Sequence, residues 1–106
     1  MKILENAFTQ TDSKVLLHTD DVKIEQTKLF DDLSTTTITV APSAEYKFTA
    51  RSSMLQGMVG TGTISNSRET FELNLFNKIA IDRGEKVTLQ NTQDQIPLVV
   101  NIISAN

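Results

Sequence analysis

A histidine followed by two aspartates is the first feature of this sequence that could do chemistry. His18 is the only histidine, and Asp20 and Asp21 follow it after one threonine. With one of the eight serines, they could supply the nucleophile, base and orienting carboxylate of a triad. The Gly-x-Ser-x-Gly turn that exposes a nucleophilic serine is absent. We therefore expect His18 to be a strand-end or turn residue, and we predict no catalytic residue and no enzymatic activity.

Two pairs of adjacent aspartates, Asp20–Asp21 and Asp31–Asp32, are candidate cation ligands. Calcium takes about 6 to 8 oxygen ligands at irregular loops, but adjacent aspartates at turns more often cap backbone N–H groups. One histidine and no cysteine make a zinc site a poor expectation. Glycoside hydrolysis would need two carboxylates that face each other across a cleft, and the sequence does not place these aspartates in that way. We predict no metal and no cofactor, and calcium at either aspartate pair stays an open alternative.

Gly57, Gly60 and Gly62 lie within six residues. Closely spaced glycines are one feature of loops that bind phosphate through backbone N–H groups. No Gly-Lys-Ser/Thr follows them and no helix is expected after them. A strand that is bent or bulged at glycine explains this segment better.

Tyr46, Lys47, Phe48 and Arg51 combine aromatic and basic side chains, as a nucleic-acid surface would. Alternation along a strand, however, places both rings on one face and Lys47 on the other. The formal net charge of −3 adds no attraction for polyanions. We therefore predict a core face and a solvated face, and no binding of nucleic acid.

The most polar stretch, Asn91–Gln95, precedes Pro97. Loops at the end of a sandwich are where binding modules often carry their contacts. The simpler explanation, a solvated hairpin loop, is the one we favour, so the binding residues stay unknown at this stage.

The elements that must position all these residues are strands. The chain of 106 residues contains 14 Thr, 9 Ile and 7 Val, and β-branched side chains fit pleated sheets better than helices. Alternation of apolar and polar residues and the turn signals between them predict the boundaries. The predicted strands are Lys14–His18, Val22–Phe30, Thr36–Val40, Tyr46–Ala50, Gln56–Ser65, Phe71–Leu75, Ile79–Ile81, Val87–Leu89 and Leu98–Ile103.

The last of these segments is nearly continuously apolar and is predicted to be a central strand that is covered on both faces. Two short segments, Lys28–Leu33 and Ser52–Gln56, could hold a helical turn but no stable helix. We predict an all-β fold: a single antiparallel β-sandwich or jelly-roll-like domain of about eight or nine short strands. The domain is expected to span residues 1–106, with 1–12 as an extended N-terminal arm.

The sequence also resembles a family of small virion proteins. Three segments carry the resemblance: Met1–Asn6, the threonine-rich Ser34–Ser43 and the apolar Ile96–Ile103. They are similar in layout to small β-sandwich, tail-associated proteins of tailed phages that infect Gram-positive bacteria, including a sandwich domain of lactococcal phage receptor-binding proteins. No heptad or collagen-like stalk accompanies the segments.

This resemblance implies a non-enzymatic structural or accessory protein of a bacteriophage virion, a tail-region or adhesion-type module. Its partners would be other virion proteins or a cell-surface polymer, with no nucleic acid and no membrane. The first residues contain no apolar run of the length that a signal peptide needs, so synthesis is expected in the host cytoplasm, before assembly into the virion. We expect a monomer in isolation. Two alternatives stay open, a carbohydrate-binding module and a small phage-encoded protein that binds a host protein.

Overall fold

The computed structural model describes residues 13–105, which form ten β-strands and no helix. The strands are β1 (Ser13–His18), β2 (Val22–Phe30), β3 (Leu33–Val40), β4 (Glu45–Thr49), β5 (Ser53–Val59), β6 (Gly62–Ser65), β7 (Thr70–Leu73), β8 (Lys78–Ile81), β9 (Lys86–Asn91) and β10 (Leu98–Ala105). They form a six-stranded sheet in the order β1-β2-β3-β10-β5-β8 and a four-stranded sheet in the order β4-β9-β6-β7. All strand pairs of the two sheets are antiparallel within residues 13–105.

The hydrophobic core lies between the two sheets. Val40, Leu55 and Val100 of the large sheet and Leu73 and Leu89 of the small sheet are completely buried. Along β9, buried and more exposed residues alternate strictly, because successive side chains of a strand point to opposite faces. The predicted all-β sandwich of the jelly-roll type is confirmed.

β10 is the central strand of the large sheet, as its apolar sequence predicts. It pairs with β3 on one side and with β5 on the other. Its inward residues Leu98, Val100 and Ile102 are all buried. The predicted cover of the second face is not complete, because the outward residues Val99 and Asn101 are half-buried and Ile103 is 39% exposed.

The two predicted N-terminal strands pair as an antiparallel hairpin, β1 with β2, and β1 contains an irregularity. Val15 pairs with Glu25 while Leu17 pairs with Ile24, so Leu16 is the extra residue of a β-bulge. A bulge shifts the inward face by one residue. The run of three apolar residues in β1 therefore lacks the period of two that a regular strand would show.

The predicted glycine-bent strand at Gln56–Ser65 is wrong in one respect, because it is two strands in different sheets. β5 pairs with β10 in the large sheet, and β6 pairs with β9 in the small one. Between them Gly60 has a φ of 76°, a left-handed conformation that glycine adopts without steric cost. The chain changes sheets at this residue.

Two further boundaries differ from the prediction. The segment Ser52–Gln56 runs into β5 and Lys28–Leu33 spans a tight turn between β2 and β3, so neither holds a helical turn. β7 ends at Leu73, and Leu75 lies in the following turn, which the bond from Asn77 N–H to the Asn74 carbonyl closes. The predicted arm at 1–12 lies outside the described residues, and nothing in the described part is a helix that could cross a membrane.

Candidate functional site

His18 and the aspartates that follow it do not form a catalytic arrangement. His18 is the last residue of β1, exposed, and opposite Lys23 in the sheet. The side-chain oxygen of Thr19 accepts hydrogen bonds from the backbone N–H groups of Asp21 and Val22, at 3.3 and 3.0 Å. The turn is therefore organised by a threonine. Among residues 13–105, no hydrogen bond joins His18 to a carboxylate.

The second aspartate pair occupies the turn between β2 and β3. Asp31 lies 3.9 Å from the ammonium group of Lys28, measured from carboxylate oxygen to Nζ, and its side chain is fully exposed. No group of three or more His, Cys, Asp or Glu side chains in the described part is close enough to hold a metal ion. Neither Asp20–Asp21 nor Asp31–Asp32 is thus built into a larger set of cation ligands there.

The clustered glycines allow close backbone packing. A Cβ on Gly57 would collide with the carbonyl oxygen of Asn74, and a Cβ on Gly62 would collide with that of Gln90. The backbone of one segment therefore lies directly against the backbone of the next. This close approach, and not a cradle for phosphate, explains the glycines.

The polar loop after β9 is held by its own side chains. Asn91 is 1% exposed, and its Nδ2 donates hydrogen bonds to the carbonyl oxygens of Val40 and Ile96, at 3.1 and 2.8 Å. Its Oδ1 accepts one from Gln93 N–H, at 2.9 Å. The Oε1 of Gln93 in turn accepts from Thr61 N–H, at 3.0 Å. These amide groups fix the loop, which leaves few of them free for a ligand.

The two aromatic residues of β4 face the interior, as the alternation predicts. The rings of Tyr46 and Phe48 are stacked, with centroids 5.7 Å apart and an interplanar angle of 17°. Lys47 points the other way, is exposed, and its Nζ lies 3.9 Å from a carboxylate oxygen of Glu45. The rings therefore line an internal space instead of forming an exposed stacking surface.

This space is an open cavity at one end of the sandwich, between β4 and the large sheet, and we call it the sandwich mouth. Its volume is about 250 Å³. The apolar part of its wall is formed by Tyr46 and Phe48 on one side and by Ile24, Ile38 and Ile102 on the other. The three isoleucines are buried and extend the hydrophobic core up to the mouth.

Polar side chains complete the wall of the sandwich mouth. They are Gln26, Thr36, Ser53 and Ser104, all half-buried, and Thr49 and Arg51, which are exposed. Each provides a hydrogen-bond donor or acceptor beside an apolar surface, the usual composition of a small-molecule site. No carboxylate, imidazole or thiol is among the described residues that line the mouth. It therefore offers neither the usual metal ligands nor the usual general bases.

Three neighbouring strands build the mouth in the same way. On each strand, two inward residues that are apolar and buried are followed on the same face by a polar residue that is more exposed. The series are Val22, Ile24, Gln26 on β2, Val40, Ile38, Thr36 on β3, and Val100, Ile102, Ser104 on β10. Sequence reasoning missed this site. A period-2 pattern that changes from apolar to polar within one face was the signal that could have found it.

Comparison with known proteins identifies the architecture. No family model and no curated protein matches the chain. Among solved structures, the cupin-2 domain protein Rru_A2000 of Rhodospirillum rubrum superposes with a TM-score of 0.71 at 9% identity, covering 100% of this chain and 78% of its own. The fold is that of the cupins.

Other cupin-fold neighbours come from distant sources. A cupin 2 domain-containing protein of Halorhodospira halophila has a TM-score of 0.69 at 12% identity, with coverage of 88% of this chain and 77% of that one. Vicilin of the hazelnut Corylus avellana has a TM-score of 0.79 at 15% identity, and the match covers 91% of this chain but 30% of vicilin. Identities this low establish the cupin fold alone.

The resemblance to phage tail proteins is wrong. The solved structures to which the chain is similar include cupin-domain proteins, a 7S globulin of Momordica charantia and a protein of unknown function from Streptococcus pyogenes, and none of these is a phage, virion, tail or receptor-binding protein. Of the two quoted segments within the described residues, Ser34–Ser43 supplies most of β3 and Ile96–Ile103 most of β10, which pair in the cupin-type sheet. Met1–Asn6 lies outside the described part. A threonine-rich strand beside an apolar one is a general feature of sandwiches and does not identify a family.

The cupin fold does not by itself distinguish binding from catalysis. The similar structures include proteins as different as a 7S globulin of Momordica charantia and a protein described as apo-HppE. The activity of this chain must therefore be inferred from its own side chains at the sandwich mouth.

Proposed function

We propose that the protein is a non-catalytic binding module whose sandwich mouth holds one small, largely apolar molecule. The observation that supports the proposal is the composition of the mouth: a stacked aromatic pair faces three isoleucine side chains, with half-buried hydroxyl and amide groups beside them. Such a wall binds the ring or short alkyl chain of a ligand by burial of apolar surface, and a few hydrogen bonds orient the ligand.

The volume sets the size of the ligand. An apolar cavity of about 150 Å³ is enough for a benzene molecule, and the mouth offers about 250 Å³. One or two fused rings, or a branched chain of similar volume, would fill it. The mouth opens to solvent, so such a ligand can enter without a change in the sheets.

Binding without catalysis is the proposal because the described wall lacks a proton acceptor of ordinary strength. Hydroxyl groups of Thr36, Ser53 and Ser104 become nucleophiles only beside a base. No imidazole, carboxylate or thiol of the described residues lines the mouth with them. His18, the only imidazole in the chain, is an exposed strand-end residue outside that wall.

Nuclear magnetic resonance of isoleucine methyl groups tests the proposal, with indole as a neutral probe. We expect the methyl signals of Ile24, Ile38 and Ile102 to shift and saturate as indole is added. Ile103 is an internal control, because it follows Ile102 on the same strand but lies on the other face, 39% exposed. Equal shifts at Ile102 and Ile103, or none at either, would show the proposal to be wrong.

A pair of substitutions on β3 gives an independent control. Thr36→Phe places a ring inside the mouth and should abolish the saturable shifts. Thr39→Phe places the same ring on the opposite face of the same strand, where it should leave them unchanged. Chemical-shift dispersion checks that both variants are folded. Retained binding in a folded Thr36→Phe variant would contradict the assignment of the mouth.

The carbohydrate-binding module expected as an alternative depends on an exposed aromatic surface. Tyr46, the only tyrosine, is half-buried and stacked on Phe48 within the mouth, and the chain contains no tryptophan. This arrangement favours a single small ring over a polymer that lies along the surface.

A further inference from the structure

Next to the sandwich mouth lies a second opening that the proposed function does not use. It is an open recess of about 410 Å³ lined by Arg51, Ser52, Arg83 and Ala105, and we call it the arginine recess. Arg51 lines both cavities, so the recess and the mouth are adjacent. Two of the four described residues that line it carry a permanent positive charge.

Backbone hydrogen bonds hold the two arginines beside each other. Ala50 N–H donates to the carbonyl oxygen of Glu85, at 2.8 Å, and Gly84 N–H donates to that of Ala50, at 2.9 Å. Arg51 follows Ala50 in the chain and Arg83 precedes Gly84, so each arginine is next to a residue of these hydrogen bonds. The end of β4 and the turn between β8 and β9 therefore bring together two side chains that are 32 positions apart in the chain.

Neither guanidinium group is neutralised within the described residues. The ion pairs of residues 13–105 all involve lysines, and none of their side-chain hydrogen bonds uses a guanidinium group. The turn contains two acidic residues. Glu85 is already bound elsewhere, because its Oε1 accepts from Asn66 Nδ2, at 2.8 Å, and its Oε2 from Asp82 N–H, at 2.6 Å. Asp82 is exposed, and none of the ion pairs of residues 13–105 joins it to Arg51 or Arg83. No carboxylate is among the described residues that line the recess.

We infer that the ligand of the sandwich mouth carries an anionic group, a carboxylate, sulfate or phosphate, which Arg51 and Arg83 bind in the arginine recess. This inference depends on the proposed function, because it assigns the polar end of the molecule whose apolar body fills the mouth. The planar, five-donor guanidinium group matches the oxygens of such anions in pairs. The hydroxyl group of Ser52 adds a further donor on the same wall.

Two isosteric probes separate the inference from the proposed function. Indole-3-acetate and indole-3-acetamide share the ring and differ in the charge of the side group. At low ionic strength, we expect the acetate to bind roughly tenfold more tightly, the lower end of the range for hydrogen bonds to a charged group, because both arginines are exposed. Added salt should reduce the preference, since it screens exposed charges.

Substitutions then assign the preference to the arginine recess. Arg83→Gln, which lies outside the described wall of the mouth, should reduce the ratio of the two affinities to about two, and Arg51→Gln should do the same. Arg68→Gln is the matched control: it removes an exposed arginine in the turn between β6 and β7, lines neither cavity, and should leave the ratio unchanged.

Each outcome has one meaning. If the acetamide binds and the acetate binds no tighter, the inference is overturned and the proposed function stands. If the acetate preference survives both Arg51→Gln and Arg83→Gln, the recess is not its source and the inference is again overturned. If neither probe shifts the isoleucine methyl signals of the mouth, the proposed function fails and the inference with it. A salt-sensitive preference that Arg83→Gln removes and Arg68→Gln retains supports it.

Discussion

The buried amide of Asn91 joins β9 to the large sheet and to the loop that follows it, and its removal is the sharpest test of how this fold is held together. The side chain makes three hydrogen bonds to backbone groups, two as donor and one as acceptor. Only the bond to Val40 is fully buried; the bonds to Ile96 and Gln93 are partly accessible to water. We therefore consider Asn91→Ala.

The expected loss of stability follows from these three bonds. Loss of the buried bond costs about 1 to 3 kcal/mol, because alanine leaves the partner carbonyl without its donor. The two accessible bonds add about 0.5 kcal/mol each, since water can replace the amide. A total of about 3 kcal/mol is a large part of the stability of a domain of this size and corresponds to a fall in Tm of roughly 12–24 °C.

Urea unfolding followed by far-ultraviolet circular dichroism measures this loss. The matched control is Asn77→Ala, whose side chain makes one exposed hydrogen bond, from Asn74 N–H at 2.8 Å; we expect a cost of about 0.5 kcal/mol. Asn91→Asp should be at least as damaging as alanine, because a buried carboxylate cannot donate to the two carbonyl groups. If Asn91→Ala costs no more than Asn77→Ala, the reasoning is refuted.

Four further substitutions test the turns and the core. Gly60→Ala should cost more than about 1 kcal/mol, because it combines a positive φ with a collision between Cβ and the Pro97 carbonyl oxygen. Gly84→Ala should lower the stability less than Gly60→Ala. The φ of Gly84 is also positive, at 89°, but a Cβ there would meet no other atom. Equal falls in Tm for the two variants would contradict this. Phe76→Asn should raise Tm by a few degrees, because Phe76 is 63% exposed with a φ of 67° and asparagine tolerates this conformation at lower cost; an unchanged or lower Tm would show that the ring has contacts worth more than the strain. Leu55→Ala should cost about 3 kcal/mol in urea unfolding, as the side chain is completely buried, and a loss below about 1 kcal/mol would mean that the core repacks.

Local sequence patterns predicted most of the strands. Alternation identified β4 and β9, and a continuous apolar run identified β10 as a central strand. These predictions succeed because, in a strand without a bulge, successive side chains alternate between the two faces of the sheet. The same alternation placed Tyr46 and Phe48 inside and Lys47 outside before any tertiary contact was known.

The family was not predictable in this way. The phage resemblance rested on threonine-rich and apolar segments that any sandwich can contain, and the cupin fold emerged only from the order of strands in the two sheets. That order depends on where the chain crosses between sheets, which it does at six connections within the described residues, one of them at Gly60. A glycine can equally mark a bulge or a bend within one strand. The sequence alone could therefore not show that the chain passes from one sheet to the other at this residue.

The sequence by itself determined the class of the protein, its strands and the faces of those strands, because these properties follow from the conformational preferences of neighbouring residues. The tertiary structure decided the sandwich mouth and the arginine recess. Ile24, Ile38 and Ile102 meet Tyr46 and Phe48 only because the two sheets stack, and Arg51 meets Arg83 only because Ala50 bonds to the 82–85 turn. Such contacts join residues far apart in the chain, whose separation in space is set by packing and long-range hydrogen bonds and not by local preference.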